Sequence, residues 1–142
     1  MSIAIIYAIG WQRQGPIKIG FAANILKRLD GLQTGSPYRL RVWFGAVVPA
    51  EKAVDLEVAA HNILLADQMI GEWFDVAAHE ARAAIVKGIE GSGEVVTKWQ
   101  PSPKMIANRK RQAIRHLIRP PGYLAAVINS DPFLKATCGH LV

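Results

Sequence analysis

Ile3 to Ile9 is a β-branched and apolar run that ends at Gly10, the pattern of a short buried strand. Gln12 to Pro16 is polar and holds Gly and Pro, and Ile17 to Phe21 is apolar again, so the two runs read as a β-hairpin. Asn24 is placed to cap a helix through Leu32, with Ile25, Leu26, Leu29 and Leu32 as its apolar stripe and Lys27, Arg28 and Asp30 on other faces. The turn from Gln33 to Pro37 ends it. Leu40 to Val48 alternates beside Arg39 and Arg41 before becoming fully apolar, as a third strand would. Pro49 and Glu51 open a helix reaching about Leu65, with a broad apolar surface made by Val54, Val58 and Leu65 with Leu56, Ala60 and Ile63. Glu57 and His61 lie four apart and share one of its faces. After Gly71, Trp73 to Val76 suits a short strand, with Trp73 and Phe74 in the core, and Ala77 to Ile89 is helical by its alanine content.

This order predicts an α+β fold: a small mixed α/β sandwich with a short, mainly antiparallel, three-stranded sheet flanked by helices. A chain of 142 residues suits one compact domain with an appendage. Charge marks the appendage. Residues 1–97 carry nine Lys or Arg against ten Asp or Glu, whereas residues 98–142 carry eight basic residues and only Asp131. The Gly91–Gly93 turn and the Pro101-Ser102-Pro103 breaker flank this change, which places a boundary near Lys98. Beyond it, Lys104 to Arg119 reads as an amphipathic helix. Met105, Ile106, Ala113, Ile114, Leu117 and Ile118 can face inward, and Lys104, Arg109, Lys110, Arg111 and Arg115 are candidate contacts to nucleic acid. Pro120-Pro121 stops that helix, and Tyr123 to Ile128 suits a second short one. The alternative is a solvated basic tail.

Other chemistries find little support. Cys138 is the sole cysteine, which excludes an intramolecular disulfide framework and a cysteine-based zinc cluster. The spacing from Gly15 to Gly20 is that of a phosphate-binding loop, but Phe21-Ala22 stands where Lys and Ser or Thr would be needed. His61, His79, His116 and His140 are too scattered for a zinc helix. Ile3 to Trp11 has no preceding Lys or Arg, no cleavage site and too few residues to span a bilayer, so a cytoplasmic protein without membrane contact is expected.

One ordered set remains: Ile5-Ile6-Tyr7, then Lys18-Ile19-Gly20, then Arg28 on the helix ending Leu32-Gln33-Thr34-Gly35, then Leu56-Glu57 with His61, then Gly71-Glu72-Trp73-Phe74. It resembles the GIY-YIG nuclease superfamily, and more closely the branch typified by a T5 phage open reading frame, whose members carry Lys-Ile-Gly in place of Tyr-Ile-Gly. The match covers roughly residues 3–90. Ile5 stands where the first motif has Gly, and no counterpart is evident for the Asn that many members carry after the metal carboxylate.

The resemblance implies a divalent-metal-dependent endonuclease that hydrolyses DNA, with a phage or mobile-element setting. Glu72 would be the protein ligand of one Mg²⁺ or Mn²⁺, a hard cation that keeps waters and takes phosphate oxygens. Arg28 would grip the scissile phosphate with two donors. Tyr7 would activate or orient water, and Lys18 would supply the cation that favours its phenolate. His61 would contact phosphate or shuttle a proton, its tautomer fixed by Glu57, and Gly20 and Glu57 would support the site. Each residue also has an ordinary reading: Tyr7 a strand aromatic, Lys18 a solvated hairpin residue, Arg28 a helix-surface charge, His61 a partner of Glu57, Glu72 a turn residue. The rival function is a catalytically inactive nucleic-acid-binding protein on the same fold. A further alternative is an interaction module, with the C-terminal helix pairing with a second copy as a homodimer.

Overall fold

The computed structural model describes residues 2–117, and side chains as far as Arg111. Two compact units divide the chain, Met1–Gln100 and Pro101–Val142.

The first unit is built on a five-stranded antiparallel sheet in the order β4-β2-β1-β3-β5. Its members are β1 (Ile3–Gly10), β2 (Ile17–Ala22), β3 (Arg41–Pro49), β4 (Trp73–Phe74) and β5 (Thr97–Lys98). The expected three-stranded sheet is thus extended by one two-residue strand at each edge: β4 falls within the strand expected over Trp73 to Val76, and β5 is too short to carry a period-2 signal. β1 is central, which explains its unbroken apolar run: Ala4, Ile6 and Ala8 face one side of the sheet, and Ile5, Tyr7 and Ile9 the other.

The first side is closed by α2 (Ala53–Ile63), entered through a 3₁₀ turn at Ala50–Lys52, and α3 (Ala78–Gly91). Ala53, Leu56 and Ala60 of α2, and Ala81, Ala84, Ile85 and Ile89 of α3, bury against Ile6, Ile17, Ile19 and Phe44 of the sheet. Val54, Val58 and Leu65, expected within the apolar surface of α2, are instead exposed. One stripe of a helix can reach a sheet, and the stripe through Ala53, Leu56 and Ala60 takes that place. The second side is covered by α1 (Ile25–Thr34) alone, through Ile25 and Leu29. Asn24 caps α1 as expected, its side-chain oxygen accepting from the Lys27 N–H at 3.1 Å.

The sheet reaches the expected boundary near Lys98. Thr97 and Lys98 pair with Val47 and Ala46, and the Trp99 N–H donates to the Gly45 carbonyl at 2.7 Å. In the second unit, α4 (Pro103–Leu117) matches the predicted basic helix as far as it is described. Lys104, Lys110 and Arg111 are exposed along it and Arg109 is half-buried, while Met105 and Ile106, expected to face inward, are 44% and 42% exposed. The side chain of Arg115 and the helix expected over Tyr123 to Ile128 lie outside the described residues. Among the described residues no helix is long and apolar enough to cross a membrane.

Candidate active site

The site lies on the α1 side of the sheet, over β2. Register builds it: Gly20 pairs with Tyr7 and Lys18 with Ile9, so Tyr7, Gly20 and Lys18 share this face, and Lys18 pairs in turn with Trp73 of β4. Glu72 immediately precedes β4, and its carbonyl accepts from the Ile19 N–H at 3.0 Å, which fixes the carboxylate at the sheet edge. Arg28 reaches over from α1.

Four groups converge over Gly20. The Arg28 guanidinium donates to the Tyr7 hydroxyl at 3.5 Å, and the Lys18 ammonium donates to Glu72 Oε2 at 2.8 Å. A Cβ placed on Gly20 would lie 2.5 Å from Tyr7 Oη and 3.1 Å from Glu72 Oε2. Glycine is therefore the floor of the site, required by close approach and not by backbone conformation. Tyr7 is fully buried along its ring, and burial raises its hydroxyl above the usual phenol range while the Arg28 charge opposes that rise. The cation beside Tyr7 is thus Arg28, and Lys18, expected in that role, pairs with Glu72.

Glu57 and His61 approach from α2. Burial, chiefly, and then the charge of nearby Glu72 raise the Glu57 carboxyl above the ordinary glutamate range. The expected link between Glu57 and His61 is looser, with Oε1 and Nε2 3.9 Å apart. Instead His61 Nε2 lies 2.8 Å from the Ile19 carbonyl. A carbonyl only accepts, so Nε2 carries the proton and the backbone of β2, not Glu57, sets the tautomer. The ring also packs on Phe74 at 5.0 Å between centroids. His61 so caps the β2 edge where the short β4 has ended.

Among the described residues no group of three His, Cys, Asp or Glu converges to cage a metal ion. Two carboxylates, Glu72 and Glu57, are near enough for the charge of one to raise the other. Two hard oxygen donors at an open sheet edge suit Mg²⁺ or Mn²⁺, which complete their shell with water and substrate oxygens. Glu72 is the more accessible, its side chain 39% exposed against 13% for Glu57.

Beside Arg28 an open pocket of about 460 Å³ is lined by Ala22, Ala23, Asn24, Lys27, Arg28 and Gly31. In the sequence Lys27 reads only as a polar position of the helix, although Asn24, Lys27, Arg28 and Gly31 have the spacing of one helix face. Trp73, expected in the core with the buried Phe74, is half-buried and joins an aromatic group with Trp11 and Tyr38. Lys104, Arg109, Lys110 and Arg111 belong to the separate second unit.

A family model, the T5orf172 domain, matches residues 4–88. That is more than half of the chain, and the chain belongs to this nuclease-related, GIY-YIG-like family. No curated protein and no solved structure matches it.

Proposed function

From this membership we propose that the protein is a divalent-metal-dependent endonuclease that hydrolyses phosphodiester bonds of DNA. The observation that carries the reading is the convergence of Tyr7, Arg28, Lys18 and Glu72 over the bare backbone of Gly20. Hydrolysis needs a water aimed at phosphorus, positive charge against the non-bridging oxygens, and stabilisation of the departing 3′ oxygen. Glu72, with Glu57 beside it, would hold one Mg²⁺ or Mn²⁺. When bound, that ion supplies Lewis-acid charge at the phosphate.

The chain's own groups supply the rest. Arg28, beside an open pocket, is a permanent cation with a planar fork of donors for the phosphate. The Tyr7 hydroxyl accepts from Arg28 and keeps its own proton to donate, so it orients water or a phosphate oxygen as a neutral phenol. Lys18 neutralises Glu72 and would turn to the phosphate when another cation takes that carboxylate. His61 holds β2 to α2 and serves the site by positioning. The exposed bases of α4 would add affinity through counterion release, which makes binding salt-dependent.

Supercoiled plasmid incubated with Mg²⁺ or Mn²⁺ tests this. Nicking and linearisation by the wild type, abolished by EDTA and by Glu72→Ala and Arg28→Ala, is the expected result. Salt-dependent binding with no cleavage by the wild type, unaffected by Glu72→Ala, would establish the non-catalytic binding protein instead.

A further inference from the structure

A row of side chains runs along β2 on the α1 side of the sheet, and it continues past the groups that the catalytic reading uses. At one end, Ala22 opens into the cationic pocket of Lys27 and Arg28. In the middle stands Gly20 with Tyr7 and Glu72. At the other end Lys18 pairs with Trp73, and beyond it lies the aromatic group. Trp11 stacks on Tyr38 with centroids 5.2 Å apart and planes at 26°, and meets Trp73 at 5.8 Å and 47°. Trp11 and Trp73 pack against the same small apolar cluster as Tyr7 and α1, which places them on the site's side of the sheet.

Three features separate this group from core packing. Tyr38 is 56% exposed, and Trp11 and Trp73 are half-buried, so part of the group remains in water. Trp73 is bonded directly to Glu72, so the group adjoins the reacting centre. Arg39 and Arg41 follow Tyr38 in the chain, are exposed, and form no ion pair among the described residues. An aromatic surface beside unneutralised cations is what a strand with unpaired bases requires: bases stack, and the backbone takes the charge. Ala22 and Lys18 are about 13 Å apart along an extended strand, so the row is longer than the immediate surroundings of one phosphate.

We infer that Tyr38, Trp11 and Trp73 form a stacking platform for unpaired bases adjoining the scissile phosphate, so that the site favours DNA with unpaired bases beside the cut: single strands, branches, or the segments that negative supercoiling opens in a plasmid. The inference rests on the nuclease reading for the meaning of "scissile", but the platform itself is tested without cleavage. Fluorescence anisotropy in EDTA compares a labelled single-stranded oligothymidine with a duplex of equal length, at one ionic strength, for the full chain. Tyr38→Ala is expected to weaken single-strand binding about tenfold, the effect of losing one stacked base. It should leave duplex binding within about twofold, since the phosphate contacts that hold a duplex remain. Tyr38→Phe, which keeps the ring, should bind like the wild type. Oligothymidine should also quench tryptophan fluorescence, and less so in Trp11→Phe. Equal losses on both ligands with Tyr38→Ala, or no loss on either, would overturn the platform. Such a failure leaves plasmid nicking untouched, whereas failure of the nuclease reading leaves the single-strand preference in EDTA intact.

Discussion

The two sides of the sheet are built from the same strands and spend them differently. On the α2/α3 side, two helices seal Ile6, Ile17, Ile19 and Phe44, all of them buried. On the α1 side a single ten-residue helix covers Ile5, Ile9 and Ala22, and the rest of the face carries Tyr7, Gly20, Lys18 and a half-exposed aromatic group. A sheet needs one well-packed face to be stable. Closing that face with two helices leaves the other free to hold charges, a bare glycine and exposed rings, which stability alone would disfavour. Stability and chemistry are therefore separable here, and substitutions should show it.

The largest effect on stability is expected on the sealed side. Ile85→Ala on α3 removes a buried side chain and should cost about 2–5 kcal/mol, read as a lower denaturant midpoint, while the folded fraction cuts at the wild-type rate. A turnover loss beyond the loss of folded protein would show that the two sides are coupled. Gly20→Ala on the open side should invert the pattern. Its methyl group would meet the Tyr7 hydroxyl, costing about 1–3 kcal/mol of overpacking and about 10²-fold in turnover from misplaced groups. Wild-type turnover with a normal melting curve would contradict the close approach over Gly20.

His61 joins the two sides. Removing its N–H from the Ile19 carbonyl with His61→Ala should cost about 1–2 kcal/mol and lower turnover only in proportion to β2 being loosened. A large kcat loss in a variant that melts like the wild type would instead place His61 in the chemistry. Glu57→Gln should give the smallest effect, a slight rise in Tm at pH 7 that is absent near pH 4. The sign follows from its raised pKa, which means the folded state favours the protonated carboxyl. That contribution is full below the ordinary glutamate range and is lost as pH rises through the folded value, so the neutral amide relieves a charge buried beside Glu72. Destabilisation at pH 7 would mean that the Glu57 charge is held by groups other than those seen around it.

Elements with a sustained period were legible in the sequence: β1, β2, β3, α1 with its Asn24 cap, and α3. β4 is legible as the short strand after Gly71, whereas the Thr-Lys of β5 reads as polar loop without its partner on β3. α2 misled because apolar residues lie on several of its sides, and which stripe meets the sheet is decided by packing. The residue types of the site stand in the sequence as an ordered motif, but their pairings do not. Lys18 and Glu72 are 54 positions apart, and nothing local says that the ammonium chooses the carboxylate over the phenol. His61 binds a backbone carbonyl, an acceptor every residue has. The Trp11–Tyr38 stack joins a hairpin to a distant loop and carries no motif at all.

The open side of the sheet is proposed to be a metal-dependent phosphodiester hydrolase. This proposal is tested most directly by nicking of one plasmid, with Mg²⁺, by the wild type, by Glu72→Gln and by Lys87→Ala, which changes an exposed residue of α3 on the sealed side. Nicking by the wild type and by Lys87→Ala at rates within about twofold, with a loss of at least about 10³-fold for Glu72→Gln, is the expected result. Equal rates for all three, or rates unchanged by EDTA, would contradict it.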